Sequence, residues 1–361
     1  MAMTTVPTLL EAKGINVVYE PARGVHIWSV RDVDLTLRPG EFVGLVGESG
    51  CGKSTLGFAL TRLLAPPAKL QSGQILFDGT DISLLSGEDL RRQRRGGFAI
   101  VLQSGMNALN PVRTIAHHFG DILRAHERGR EESSKHEVRR RGIELLDKVH
   151  LDESVLNRYP HELSGGMRQR VSIALALALE PRMIVFDEPT TALDVIAQKA
   201  VMRTIKDLQR ENGFTAILIS HDLGVVLEAT DRVIVMYAGE VVEDQPSRAL
   251  GGGLHHPYTE ALLRCYADPR ADEIHLGGIP GTPPDLSLSL AGCPFAPRCP
   301  LAEDICRHED PPLTPLGDGL AACHVRAREA SSSPEGVAAV RQRQTPFTPD
   351  SADSTEVSHG Q

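Results

Sequence analysis

The sequence contains no run of about 18 or more uncharged apolar residues, so no stretch of it is expected to cross a bilayer as a helix. Its opening, MAMTTVPTLLEAKG, lacks the basic and apolar regions of a secretory leader, and a cytoplasmic chain is expected. Positive charge is also short: 38 Lys and Arg face 47 Asp and Glu, a net charge of -9. That balance argues against a broad basic surface for nucleic acid and leaves room only for a local one. Cysteine is sparse, at six in 361 residues, but four of the six fall between Cys293 and Cys323. In a cytosolic chain such grouping suggests metal or redox chemistry more than a disulfide framework. The length and a 41% hydrophobic content are enough for a sizeable core and more than one folded unit.

Residues 47–55 read GESGCGKST and match the phosphate-binding loop G-x-x-x-x-G-K-[ST]. Residues 41–46, EFVGLV, suit a buried strand, and residues 54–64 can run as a helix until Pro66 and Pro67 stop it. Strand, glycine loop and helix form the context that the motif requires. Gly47, Ser49, Gly50, Cys51, Gly52, Lys53, Ser54 and Thr55 together make a cradle for polyphosphate. The glycines let the backbone approach closely, the amides and helix start supply positive potential, and Lys53 adds a point charge. Ser54 carries the hydroxyl expected on Mg²⁺. Cys51 borders this anion pocket, which favours thiolate and makes it the expected site of modification.

Residues 9–37 alternate around a loop containing Pro21 and Gly24 and read as antiparallel strands. Tyr19 could stack on an adenine ring, with Trp28 as its competitor. Residues 74–79 read as a strand and turn, and residues 98–102 as a buried strand ending at Gln103. Residues 106–163 turn helical, with Ser133 and Ser134 as caps and Val138, Ile143, Leu146 and Val149 on one face. The segment LSGGMRQR at 163–170 then opens a helix that runs toward Pro181, and its serine and glycines form an anion-binding start. Residues 182–189, RMIVFDEP, form an apolar strand delivering Asp187 and Glu188 at its end. Beside a phosphate loop, the first acid belongs near Mg²⁺ and the second can activate water. Residues 215–220 form another strand, ending at His221, and residues 232–244 a hairpin about Ala238 and Gly239.

This ordered set resembles the ATP-binding cassette ATPases, the nucleotide-binding subunits of ABC transporters, over about residues 9–245. The resemblance implies an α/β, RecA-like P-loop NTPase core with an antiparallel β subdomain and a helical insertion. It implies that Gln103 senses Mg²⁺ and the membrane partner, and that Asp187 is the metal-side aspartate. Glu188 is then the catalytic glutamate, His221 the switch histidine, Ala192 to Asp194 the D-loop, and Tyr19 the aromatic base contact. Lys53, Glu188, His221 and Gln103 are the expected catalytic set, with Ser54, Gln103 and Asp187 around Mg²⁺. Two such domains face head to tail, so that Ser164, Gly165 and Gly166 of one reach the ATP on Lys53 of the other. Met167 departs from the glutamine that many members carry there. Permease-independent members would show a large coiled-coil insertion or tandem cassettes with a basic linker, and neither is visible.

After Gln245, the stretches HPYTEALL at 256–263, GIPGTPP at 278–284 and CPFAPRCP at 293–300 resemble the C-terminal extension of dipeptide and oligopeptide importer ATPases. The signature form LSGGMRQR resembles their D-type subunit. The resemblance implies a heterodimer with an F-type ATPase, two permease subunits and an extracytoplasmic binding protein, on the cytoplasmic membrane face and without nucleic acid. Related systems carry nickel, glutathione or sugars. Cys293, Cys299, Cys306 and Cys323 could hold a [4Fe-4S] cluster or a tetrahedral zinc, or stay free structural thiols, and His324 could replace a ligand or be an incidental surface histidine; the spacing is not the paired C-x-x-C of zinc ribbons. The expected division is a first core part over 1–105, a helical subdomain over 106–165, a second core part over 166–250, the extension over 251–328, and a polar, disordered tail over 329–361.

Overall fold

The computed structural model describes residues 7–22, 24–103, 108–125, 134–265 and 278–332. Met106, Ser133 and the expected disordered tail beyond residue 332 lie outside them.

Among the described residues, two sheets and their helices make the fold. The first sheet is antiparallel, in the order β2-β1-β4-β5, from β1 (Leu10–Tyr19), β2 (Ile27–Leu37), β4 (Ala68–Phe77) and β5 (Thr80–Asp81). In β1, Leu10, Ala12, Ile15 and Val17 are buried in one cluster and Lys13 is exposed; the register shift between Ala12 and Ile15 is what keeps residues an odd number apart on the inner side. The second sheet has eight strands in the order β11-β12-β10-β9-β3-β8-β7-β6. These are β3 (Phe42–Val46), β6 (Phe98–Val101), β7 (Met183–Asp187), β8 (Thr215–Ile219), β9 (Arg232–Tyr237), β10 (Glu240–Pro246), β11 (Leu313–Leu316) and β12 (Gly319–Ala322). Strands β6, β7, β8, β3 and β9 run parallel, and every residue of β3, β7 and β8 is buried. Continuous apolar runs such as MIVFD reflect helices covering both faces.

The helices are α1 (Lys53–Leu60), α2 (Gly87–Arg94), α3 (Ile115–Ala125), α4 (Lys135–Lys148), α5 (Gly165–Leu177), α6 (Val195–Asn212), α7 (Leu223–Ala229), α8 (Pro257–Cys265) and α9 (His324–Ser332). Helix α4 starts where the sequence signals it, with Ser134 accepting from the Glu137 amide at 3.2 Å. The hairpin between β9 and β10 turns on Ala238 and Gly239, both at positive φ (50° and 88°), the geometry of a two-residue turn that matches strand twist. The segment after β10 is not separate from the core. Its β12 pairs with β10, placing Ala321 opposite Glu243, and Tyr258 and Phe295 are buried in the same cluster as Phe186 and Tyr237. Among the described residues, no helix is long and apolar enough to cross a membrane.

Candidate nucleotide site

The parallel strands place their carboxyl ends along one edge, where ligands of open α/β sheets bind. Residues 47–52 leave β3 there, Asp187 ends β7, His221 follows β8 and Gln103 follows β6. A cleft of about 450 Å³ opens between them, lined by Tyr19, Ser49, Lys53, Thr55, Gln103, Glu188 and His221.

Glycine is required in the loop at two points. Gly52 sits at φ +101°, and a Cβ there would lie 2.1 Å from the Ser29 carbonyl oxygen; at Gly47 (φ +149°) it would lie 2.2 Å from that of Met236. Lys53 is buried, and its Nζ donates to the carbonyls of Gly47 (2.7 Å) and Glu48 (2.9 Å). The loop's own backbone therefore holds the ammonium over the cleft floor. Ser54 Oγ donates to Asp187 Oδ1 at 2.8 Å. Burial pushes the Asp187 carboxyl above its ordinary range, opposed by the Ser54 bond. A buried carboxylate with one hydroxyl partner is a fitting ligand for a divalent cation, and Ser54 and Asp187 stand ready as a pair.

Glu188 takes a left-handed backbone, φ +51°, a conformation that costs a non-glycine residue on the order of 1 kcal/mol. Its Oε2 accepts from Thr191 Oγ1 at 2.6 Å and lies 2.6 Å from His221 Nδ1. The imidazole is exposed and the carboxylate mostly covered, so the histidine forms a rim over the acid. Tyr19 ends β1 with its hydroxyl 3.2 Å from Thr55 Oγ1, which also receives the Ser29 hydroxyl at 3.1 Å. Trp28 does not line the cleft.

Three findings depart from or extend the sequence reading. Cys51 is not a poised thiolate: it is 5% exposed, and burial raises its thiol above the ordinary value despite Lys53. Desolvation of the charged form outweighs the ammonium beside it. Leu286, far along the chain, lines the cleft beside Tyr19 and Ile27, its carbonyl receiving the Trp28 amide at 3.0 Å. No local signal marked it. Ser164, Gly165 and Gly166, by contrast, do not line this cleft. Ser164 caps α5, accepting from the Met167 amide at 3.3 Å, while the Met167 side chain packs on the core.

Cys293, Cys299, Cys306 and Cys323 come together around one small cavity with His256, Ala296, Leu301 and Pro311. Burial raises the thiols of Cys293 (to about 12), Cys299 and Cys323, and at least one neighbouring thiol adds to each rise. The Leu301 amide donates to Cys299 Sγ (3.4 Å) and the Arg326 amide to Cys323 Sγ (3.5 Å). Among the described residues, no group of three or more His, Cys, Asp or Glu is placed to hold a metal ion. His324 turns its Nε2 to the Glu309 carbonyl, 3.0 Å away.

Residues 30–191 match the ABC transporter family, and residues 242–306 match the oligopeptide/dipeptide transporter C-terminal region. A Sinorhizobium fredii protein named as a peptide ABC transporter ATP-binding protein is 42% identical over 82% of this chain and 89% of its own. A Brucella ovis protein named for peptide import is 39% identical over 90% of this chain and 98% of its own. Among solved structures, the dimeric cassette MJ0796 bound to ADP and Pi superposes with a TM-score of 0.59 at 32% identity, covering 66% of this chain and 99% of that one. The cassette cbiO1 of Clostridium perfringens gives 0.57 at 28% identity, over 68% and 91%. With the phosphate loop, the paired acids and the histidine converging on one cleft, the chain belongs to the ABC transporter ATPases, in the group that carries the oligopeptide/dipeptide C-terminal region.

Proposed function

We propose that this chain hydrolyses ATP to power import of dipeptides and oligopeptides, bound to the cytoplasmic face of the membrane through permease subunits. The observation that carries the cargo is the C-terminal region at 242–306 together with relatives named for peptide import over nearly the whole chain. The site supports the chemistry. Lys53, held by the loop carbonyls, meets the β- and γ-phosphates, and Tyr19 with Leu286 offers a mixed aromatic and aliphatic wall to the base. Ser54, Asp187 and Gln103 would hold Mg²⁺, which offsets charge on the phosphate oxygens. Glu188, aligned by Thr191, orients the attacking water and takes its proton; His221 covers the same oxygen from the solvent side. Because Ser164, Gly165 and Gly166 lie outside this chain's own cleft, they are left to complete the site of a second cassette, for which we propose an F-type partner. The insertion expected at 106–165, with the segment from Gln103 to Pro111, would receive coupling helices from the permease, of which the transporter would have two subunits, and an extracytoplasmic binding protein would deliver the cargo to them.

We further propose that the four cysteines hold a [4Fe-4S] cluster. Its support is the convergence of all four on one apolar-walled cavity with backbone amides aimed at two of the sulfurs. In a cubane each thiolate binds its own iron, so the sulfurs stand farther apart than around a single ion. A tetrahedral zinc on the same thiolates is the alternative. Iron and acid-labile sulfide, lost in Cys299→Ser, are the expected result of anaerobic purification; zinc alone would replace the cluster with a redox-silent staple. For the transport role, purification from native membranes should bring two permeases and a second ATPase. Recovery with ribosomes or DNA repair proteins would refute it.

A further inference from the structure

The C-terminal extension reaches the phosphate loop through Glu48, which is held on three sides. Its amide donates to the hydroxyl of Tyr258, on α8, at 2.7 Å. Its carbonyl accepts from Lys53 Nζ. Its carboxylate accepts two bonds from the Arg298 guanidinium, Nη1 to Oε2 at 2.7 Å and Nη2 to Oε1 at 3.0 Å. Paired forks of this kind are the most directional ion pairs that proteins make.

Arg298 itself has little freedom. Its side chain is 4% exposed, Nε donates to the Pro280 carbonyl (2.7 Å), Nη2 to that of Ile279 (3.1 Å) and Nη1 to the Tyr237 hydroxyl (3.2 Å). The guanidinium also lies 5.8 Å from the Tyr237 ring centre and 5.9 Å from that of Phe295. Every nitrogen is engaged, so the carboxylate must come to the arginine. A covered ion pair is weak evidence for stability, because desolvation consumes much of the attraction. Its placement says more. Glu48 puts a negative charge into a loop whose amides and lysine are arranged for an anion, and without a counter-charge that carboxylate repels polyphosphate.

We propose that Arg298 is a positioning residue for nucleotide binding: through Glu48 it fixes the carbonyl that holds Lys53 and cancels the loop's one misplaced charge. The inference rests on residues 47–55 being the ATP site. It also places the cysteine segment one peptide bond from a control on that loop, since Arg298 directly precedes Cys299.

The test is calorimetric titration of the full chain with MgATP. Arg298→Ala should weaken binding roughly tenfold, and Arg298→Lys, which keeps charge but not the fork, by less. Glu48→Gln removes the offending charge, so in that background Arg298→Ala should cost no more than about threefold. An Arg298 that only supports the fold would lose the same factor in both backgrounds. Equal losses, or wild-type affinity in Arg298→Ala, would overturn the proposal. If Arg298→Ala does not fold, the same comparison with Arg298→Lys decides it: a loss with Glu48 present that vanishes with Glu48→Gln supports it, and an equal loss refutes it. Failure of the unmodified chain to bind, or wild-type affinity in Lys53→Ala, would instead refute the ATP-site reading.

Discussion

Replacing Glu188 with glutamine should separate binding from hydrolysis. The carboxylate meets two groups through one oxygen, Thr191 Oγ1 and His221 Nδ1, both at 2.6 Å. Glutamine keeps the shape and can still accept from Thr191, so the left-handed turn at this position and the cleft around it should persist. What it loses is a basic oxygen to take the proton of the attacking water. General-base contributions run to about 10²–10⁴ in rate, or about 3–5 kcal/mol of barrier. Glu188 holds no part of Lys53 or Ser54, so affinity for MgATP should move less than about threefold. Phosphate release under steady state, with binding titrated separately, reads both quantities. The expected outcome is turnover reduced at least about a hundredfold at near-normal affinity. Turnover within about twofold of wild type would remove Glu188 from the chemistry, and a parallel loss of affinity would show that the turn had collapsed.

Other predictions concern residues around this centre. Leu286→Ala should weaken MgATP binding several-fold, about 1 kcal/mol, by removing aliphatic surface from the base wall; unchanged affinity would take Leu286 out of the site. Cys51, covered and with its thiol raised, should alkylate slowly at neutral pH while exposed Cys265 labels first, as peptide mapping after brief iodoacetamide treatment will show. Gly52→Ala should lose nucleotide binding, since the added methyl lands on the Ser29 carbonyl. Burial raises the Glu240 carboxyl to about 7 even with Arg31 3.7 Å away. The folded state then holds a proton that the unfolded chain has released, so this group's contribution declines from about pH 4.5 to pH 7 and stays lost above. Glu240→Gln should therefore raise the melting temperature at pH 8, by on the order of 1 kcal/mol in stability, and change little at pH 5.

The site was legible where the chemistry is local. The loop glycines and the DE pair ending an apolar strand carry their signals within a few residues, and the structure brings them to one sheet edge. Element ends were less legible. Helix α1 stops at Leu60, ahead of the prolines, because Thr61 turns its hydroxyl back to the Gly57 carbonyl and Arg62 takes a positive φ of 53°. Strand β4 begins at Ala68, because β1 supplies a partner that six polar-leaning residues before Gln74 do not advertise. Least legible was the role of the extension. Strand β12 is only four residues, GLAA, and its pairing with β10 spans more than seventy positions, beyond any periodicity. Leu286, Tyr258 and Arg298 sit in a segment rich in proline. The HPYT stretch and the arginine before Cys299 were visible, but the partner that gives them meaning, Glu48, lies 250 residues from Arg298.

The central claim is that ATP turnover at this cleft drives peptides across a membrane. Its most direct test is uptake of a radiolabelled peptide into vesicles reconstituted with the permeases, binding protein and second ATPase that co-purify with this chain. Uptake that requires ATP on the side of this subunit and fails with Glu188→Gln is the predicted result. Peptide accumulation that continues with Glu188→Gln, or none with ATP while another cargo is carried, would contradict it.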